Sequence, residues 1–354
     1  MSRVSVTTVT KRYAKSKSDA VKGISFDVEE GELLVILGPS GCGKTSTLRM
    51  IAGLESVTSG SITFDGRKVN DIPPARRNVA MAFENYGLYE HWTVFDNIAY
   101  PLRLAGHDQA RVTGQVRGIA EKLQLTEYLD ERPGGLPGGS RQRVGLARAL
   151  VRQPSVFLLD EPMSHVDAEL RNDMRAEIKR IHLEVASTMI IVTHDQLDAL
   201  TMADRILVME DGDISQHDTP DIVYAEPANT FVAGFIGEPP MNMVPAQPGW
   251  IGDGNLQYGF RPHLVSIAPP DGTARAALPI DGTVYMVEPL GDRTLVTVAL
   301  RHGSGLVKAD LAGNHSFALD QPVRLTVAEA DLHAFDPASG QRLSAVHPSA
   351  ATVA

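Results

Sequence analysis

The chain has 354 residues, of which 43% are hydrophobic and 21% charged, the composition of a globular protein with about two domains. Its 43 acidic and 33 basic residues give a formal net charge of −10, which argues against nucleic acid as a partner. The N-terminal stretch MSRVSVTTVTKRY lacks the apolar core of a signal peptide, and no apolar run approaches the roughly 20 residues that cross a bilayer. With one cysteine, Cys42, the chain can form no internal disulfide, which fits a reducing compartment.

Residues 1–237 have the pattern of an α/β domain, in which short apolar strands alternate with turns and helices. The strands are continuous apolar runs rather than alternating ones, which indicates a buried parallel sheet. The predicted strands lie at 32–38, 155–162 and 188–195, and the predicted helices lie at 44–53 and through most of 100–130.

Residues 238–354 have a different character, and we predict a second, β-rich domain there. A proline-rich joint at 238–250 precedes short β-like runs at 282–288, 293–300 and 322–328, which are separated by Gly and Asp turns. Short strands at such spacing are typical of a small all-β barrel or sandwich.

A glycine-rich turn joins the strand at 32–38 to the helix at 44–53. Its sequence, GPSGCGKT, fits the phosphate-binding pattern G-x-x-x-x-G-K-[ST] in the strand–loop–helix context that the motif requires. The loop amides and the helix N-terminus can bind phosphates, Lys44 can reach the outer phosphates, and the Thr45 hydroxyl can ligate Mg²⁺. The predicted nucleotide-binding residues here are Gly38, Pro39, Ser40, Gly41, Cys42, Gly43, Lys44, Thr45 and Ser46.

Acidic and histidine side chains follow the other two predicted strands. Asp160 ends the apolar part of VFLLDEP and is predicted to hold Mg²⁺ through water, while Glu161 is predicted to act as general base for an attacking water. His194 follows the run IIVT and is predicted to polarise the γ-phosphate. Beside a phosphate loop this set predicts phosphoryl transfer, which needs both a metal holder and a water positioner.

These segments resemble the ATP-binding subunit of ABC transporters. The resemblance rests on GPSGCGKT, on LPGGSRQRV at 136–144, on FLLDEP, on SHVD at 164–167 and on VTHD at 192–195. The runs YGFRPHLVSI at 258–267 and FDPASGQRL at 335–343 resemble the regulatory β-domain of maltose-type carbohydrate importers. The resemblance implies an α/β P-loop ABC ATPase domain with a helical subdomain, followed by a small all-β, OB-like regulatory domain.

The resemblance also implies how ATP is bound. In this family ATP lies between two chains, so the phosphate loop of one chain faces the signature segment of the other. Tyr13 matches the aromatic residue that stacks on adenine, and Asp167 is the aspartate retained in the segment called the D-loop. The signature residues are Pro137, Gly138, Gly139 and Ser140.

The partners implied by the resemblance are membrane-spanning permease subunits, a second ATPase subunit and, through the complex, an extracytoplasmic solute-binding protein. Such an assembly would place the chain at the cytoplasmic face of the cell membrane. The expected contact with the permease is the segment 84–98, where Tyr86, Tyr89 and Trp92 suit a docking surface. Ordinary core packing is the alternative role of these three aromatic residues.

Three positions depart from the family pattern. Pro137 stands where the family has Ser, Ser140 where it has Gln, and Glu84, a predicted metal ligand, where it has Gln. Pro137 removes one hydroxyl donor to the phosphate, whereas the glycines and the helix expected to begin near Ser140 keep the rest of the clamp. We therefore expect a clamp that is weakened rather than abolished.

The favoured function is an ATPase subunit that powers import of a carbohydrate, polyol or glycerol-type solute. The altered signature keeps open a nucleotide-binding partner subunit with weak turnover in a heterodimeric pair, and it leaves homodimer and heterodimer both possible. An ABC ATPase that acts on ribosomes or DNA is disfavoured, because such proteins usually carry two cassettes or a long coiled coil.

Overall fold

The computed structural model describes residues 2–14, 16–82, 87–164, 168–246, 256–268, 278–301 and 305–343. Contacts divide the chain into two compact units, Met1–Asp221 and Ile222–Ala354. The boundary expected between residues 237 and 238 lies inside the second unit and stays a prediction. Within the described ranges, none of the helices combines the length and the hydropathy of a membrane span.

The first unit combines strands and helices, as its sequence pattern predicts. In chain order its elements are β1 (Val4–Lys11), β2 (Val21–Val28), β3 (Leu33–Leu37), α1 (Lys44–Ala52), β4 (Ser59–Phe64), β5 (Arg67–Lys68), β6 (Val79–Ala82), α2 (Val94–Leu104), α3 (Gln109–Lys122), α4 (Gly138–Leu150), β7 (Val156–Asp160), α5 (Ala168–Val185), β8 (Thr188–Thr193), α6 (Gln196–Met202), β9 (Arg205–Glu210) and β10 (Asp213–Asp218). Short 3₁₀ turns lie at Pro74–Arg76, Thr126–Tyr128 and Pro133–Gly135.

A six-stranded sheet with the order β10-β9-β3-β8-β7-β6 forms the centre of this unit. Its strands are parallel except β10, which pairs antiparallel with β9. β3 and β8 are buried along their whole length, as expected for a parallel sheet covered on both faces. The predicted parallel pairing of the three apolar runs is confirmed by β3, β7 and β8.

A second, antiparallel sheet with the order β2-β1-β4-β5 shares its apolar core with the central sheet. Val4 and Phe26 from this sheet, Leu48 and Ile51 from α1, and Ile36 from β3 belong to one buried cluster. α2, α3 and α4 pack against one another, so the helical region expected within 100–130 is confirmed by α2 and α3.

The second unit is mainly β-structure. α7 (Pro220–Ala225) crosses the division, and it is followed by α8 (Thr230–Phe235), β11 (Asn242–Pro245), β12 (Gln257–Phe260), β13 (Ser266–Ala268), β14 (Leu278–Pro289), β15 (Arg293–Leu300), β16 (Leu306–Ala312), β17 (Pro322–Val327) and β18 (His333–Phe335). The strands form sheets with the orders β11-β12-β18 and β13-β17-β14-β15-β16, packed around an apolar cluster of their own. The three predicted β runs are confirmed by β14, β15 and β17.

The C-terminal end of α1, the helix that follows the phosphate loop, is held by a buried arginine. Arg77 donates to the carbonyl oxygens of Met50 and Ile51 at 2.7 and 2.9 Å, and these belong to the last turn of α1. It also donates to the carbonyl oxygens of Asn70 and Ile72, at 3.0 and 2.7 Å. The last carbonyls of a helix lack partners within the helix, so Arg77 supplies bonds that the buried backbone needs.

We predict that Arg77→Met lowers the free energy of unfolding by about 3 kcal/mol, because the hydrogen bonds from the guanidinium to four carbonyl oxygens are lost. Arg76→Met is the matched control, since Arg76 is exposed in the neighbouring turn. Urea-induced unfolding of the purified chain measures the difference. Equal midpoints for the two variants would contradict the role of Arg77.

Candidate nucleotide-hydrolysis site

The predicted phosphate loop lies between β3 and α1 and contains a hydrogen-bonded turn. Cys42 N donates to Pro39 O at 3.3 Å, and Gly43 enters α1 with a φ of 104°. Lys44 is only 5% exposed, and its Nζ donates to the carbonyl oxygens of Gly38 and Pro39 at 2.8 and 2.9 Å. The ammonium group is thus fixed against the loop that is predicted to bind phosphate.

Two glycines of the loop leave no room for a side chain. A Cβ at Gly38 would lie 2.3 Å from the Met209 carbonyl oxygen, and a Cβ at Gly43 would lie 2.5 Å from that of Ala20. Cys42 is 2% exposed, and burial raises the pKa of its thiol. It therefore has the setting of a small packed side chain rather than of a reactive thiolate.

Thr45 and Asp160, two of the predicted metal-binding residues, lie side by side. The Thr45 hydroxyl donates to Oδ1 of Asp160 at 3.2 Å, although the two residues belong to α1 and β7. Mg²⁺ prefers oxygen ligands and uses one or two from the protein, completing its shell with phosphate oxygens and water. The hydroxyl and carboxylate present here fit such an ion.

Glu161 follows Asp160 with an unusual backbone conformation. Its φ is 47°, in the left-handed region that a non-glycine residue seldom adopts. The conformation is held from both sides, since Glu161 N donates to Val192 O at 2.9 Å and the Ser164 hydroxyl donates to Glu161 O at 2.9 Å. Such strained positions occur at functional sites, where the surrounding structure enforces them.

His194 lies next to Glu161. Its Nδ1 is 3.4 Å from Oε2 of Glu161, and 53% of its side chain is exposed. Both side chains therefore reach solvent at the same edge of the sheet, beside Asp160. A carboxylate and an imidazole placed together can accept a proton and donate a hydrogen bond to one substrate.

Tyr13 and Ser46, predicted as nucleotide-binding residues, also meet. Their hydroxyl groups are 2.9 Å apart, and the Nζ of Lys11 lies 4.9 Å from the centroid of the Tyr13 ring. Tyr13 is an exposed aromatic residue beside the first turn of α1. This is a suitable position for stacking on a base whose phosphates occupy the loop.

The signature residues form the start of α4. The helix begins at Gly138, two residues before the expected position, and its N-cap residue Pro137 provides no side-chain cap. Ser140 is 2% exposed, and its hydroxyl accepts a hydrogen bond from Arg143 at 3.0 Å. The positive, N-terminal end of the helix dipole is present, but the Ser140 hydroxyl is hydrogen-bonded to Arg143 of the same helix. Pro137 and Gly139 are exposed.

Some predicted positions lie outside the described residues. They include the metal ligand Glu84, the D-loop residue Asp167 and the aromatic residue Tyr86. The roles assigned to them, like the individual roles of the other site residues, stay predictions.

A buried ion pair behind His194 was not predicted from the sequence. Arg175 of α5 contacts Asp195 and Asp198, at 3.0 and 2.7 Å. A signal was present in the sequence, because helical spacing places Arg175 on the same face as the buried residues Ile178 and His182. A charged residue on a buried helix face needs a partner.

The chain matches two protein families and many full-length relatives. The ABC transporter family matches residues 21–164, and the TOBE domain family matches residues 258–335. The sn-glycerol-3-phosphate import ATP-binding protein UgpC of Brucella abortus is 40% identical over 97% of this chain and 100% of its own length. The protein of that name from Vibrio cholerae is 43% identical over 93% of this chain and 92% of its own length.

Solved structures support the fold. The structure of cbiO1 from Clostridium perfringens, part of an ABC transporter complex, matches with a TM-score of 0.59 at 24% identity, over 63% of this chain and 90% of that one. The chain belongs to the ATP-binding subunits of ABC transporters, of the carbohydrate-importer type, in which an ATPase domain is followed by a TOBE domain. It is an ATPase, and the predicted family and fold class are confirmed.

We predict that Gly43→Ala weakens ATP binding by at least about tenfold, because its Cβ would meet the Ala20 carbonyl oxygen and the loop would shift. Gly66→Ala is the matched control, because Gly66 lies outside the phosphate loop, in the turn between β4 and β5. Gly66 also has a positive φ, of 75°, but its Cβ would meet nothing within 4 Å. Titration with a fluorescent ATP analogue compares the two, and similar affinities would show that the close contact does not shape the loop.

Proposed function

We propose that this chain powers the import of glycerol-3-phosphate or a sugar-type solute from the cytoplasmic face of the membrane. The support is its similarity to import ATP-binding proteins over nearly its full length, including the TOBE domain. Permease subunits and a solute-binding protein are the partners that this proposal requires. The chain's own contribution is ATP hydrolysis.

The observation that carries the proposed hydrolysis mechanism is the approach of His194 to Glu161 beside the Thr45–Asp160 pair. Glu161 accepts a proton from the water that attacks the γ-phosphate, and His194 holds the γ-phosphate through a hydrogen bond. Lys44 neutralises phosphate charge from the loop. Thr45 and Asp160 would hold Mg²⁺, which supplies further positive charge to the phosphates.

A shallow cavity supports the proposed permease contact. It has a volume of about 420 Å³ and is lined by residues of β6, α2 and α4, including Arg148, and by Tyr89 from the segment before α2. Tyr89, Trp92 and Tyr100 form an aromatic cluster with ring centroids 4.4 to 5.3 Å apart. Tyr89 and Trp92 are exposed, which favours a docking surface over core packing. A short helix of a permease subunit would fit such a surface.

The proposed assembly contains two ATPase subunits, with the start of α4 in one subunit facing the phosphate loop of the other. In that arrangement Pro137 and Gly139 face the nucleotide, and the missing hydroxyl at position 137 weakens the clamp on the opposite subunit's ATP. A second subunit with an ordinary signature would then produce one strong and one weak site. This is the observation that favours a heterodimer.

We predict that Glu161→Gln lowers ATP turnover of the assembled transporter by a factor of about 100 or more, since the amide cannot accept the proton. ATP affinity is expected to stay close to that of the unmodified protein, and uptake of glycerol-3-phosphate or of the transported sugar is expected to fall with turnover. Glu177→Gln, at a partly exposed position of α5, is the control. Turnover within threefold of the unmodified protein would remove Glu161 from the role of general base.

We predict that Pro137→Ser raises turnover by about tenfold, because a hydrogen bond to a charged acceptor contributes roughly 1.5–3 kcal/mol. Pro137→Ala separates this effect from loss of the proline ring, since alanine has no hydroxyl. The measurement is steady-state ATP hydrolysis by the assembled complex. Equal rates for the serine and alanine variants would show that a hydroxyl at this position does not limit the site.

A further inference from the structure

Arg175 of α5 binds Asp195, next to His194, and Asp198 behind it, and Arg171 also approaches Asp195, at 3.6 Å. Arg175 and Asp198 are 8% and 2% exposed, and Arg175 Nε donates to Oδ1 of Asp198 at 2.7 Å. The two terminal nitrogens of the guanidinium donate to Asp195 at 3.0 Å and to Asn172 at 2.8 Å. Every nitrogen of the buried guanidinium therefore has an acceptor, which is the condition under which a buried charge is tolerated.

Thr193 and Asp195, the residues on either side of His194, are connected to each other and to Asp198 by hydrogen bonds. The Thr193 hydroxyl donates to Oδ2 of Asp198 at 2.8 Å and accepts a hydrogen bond from Asp195 N at 3.1 Å. Asp195 in turn caps α6 by accepting from Leu197 N at 2.8 Å. Thr193 is thus connected to Arg175 through Asp198, and Asp195 contacts Arg175 directly.

The His194 side chain itself has little packing to orient it. More than half of it is exposed, at 53%, and its contact with Glu161 is 3.4 Å long. The direction of the imidazole therefore depends on the backbone at 193–195, which the ion pair holds. Burial raises the pKa of Asp198 above its usual value, and the bonds from Arg175 and Thr193, which favour the charged carboxylate, offset this rise only in part.

We propose that Arg175 is a positioning residue for ATP hydrolysis, which acts through Asp198 and Thr193 to hold His194 against the γ-phosphate. The inference rests on the proposed role of His194 and adds a residue that does not touch the nucleotide. A misplacement of about 1 Å in a reacting group costs up to roughly 100-fold in rate, so the holding contacts matter to turnover.

The first test compares Arg175→Met with Arg180→Met in the assembled transporter. Arg175→Met is expected to lower kcat by about 10-fold to 100-fold, with the KM for ATP changed by less than about threefold, because the phosphate loop is untouched. Arg180 lies on the same helix and forms partly exposed ion pairs with Glu177 and Glu184 away from the His194 segment, so its variant is expected to keep kcat. Equal kcat values for the two variants would overturn the proposal.

A second variant avoids leaving a buried carboxylate without its cation. Thr193→Val is nearly isosteric and removes only the hydroxyl that links Asp198 to the His194 segment. It is expected to lower kcat by about tenfold while the melting temperature falls by only a few degrees, the cost of the lost hydrogen bonds. If Arg175→Met does not fold, an unchanged kcat in Thr193→Val is sufficient to reject the proposal.

A double-mutant cycle separates positioning from general stability. In a His194→Ala background, Arg175→Met is expected to lower kcat by less than about twofold further, because the residue it positions is gone. A further loss as large as in the unmodified background would show that Arg175 acts independently of His194. Normal turnover in His194→Ala would reject both the role of His194 and this inference. Slow turnover in His194→Ala together with normal turnover in Arg175→Met would reject the inference alone.

Discussion

The site depends on the register of three parallel strands. β3 pairs with β8 so that Leu37 lies opposite Thr193, and β7 pairs with β8 so that Asp160 lies opposite Val192. Because parallel strands end at the same edge of a sheet, the residues that follow them are brought together there. The phosphate loop, Glu161 and His194 are far apart in sequence and share this edge. A slip of one residue in either pairing would turn the side chains of that strand to its opposite face.

Hydrogen bonds outside the site make that edge rigid. Arg77 binds the last carbonyls of α1, whose first residue is Lys44, and Arg175 binds the segment after β8. Both guanidinium groups are buried, and each binds several acceptors at once. Arginine suits this task because its planar group offers five donors in a fixed geometry and stays charged. The predicted site residues at the edge of the sheet are therefore held by buried hydrogen bonds from Arg77 and Arg175.

The sequence predicted the parts of the site that depend on local pattern. The phosphate loop, the apolar strands and the acids that follow them are contiguous signals, and the structure places Thr45 next to Asp160 and Glu161 next to His194. Contacts between distant segments were not predictable in the same way. The bond between Tyr13 and Ser46 spans 33 positions, and the bonds from Arg77 to Met50 and Ile51 span 27 and 26.

The left-handed backbone at Glu161 restricts what can replace it. A φ of 47° is tolerated by glycine and, less well, by asparagine and aspartate, whereas valine and isoleucine would clash with their own backbone. Descendants of this chain that lost the carboxylate while keeping the fold would therefore carry a narrow set of residues at position 161. The residues that can replace Glu161 are limited by backbone geometry as well as by the need for a carboxylate. A glycine there would relieve the strain, so loss of hydrolysis and gain of stability would come from one substitution.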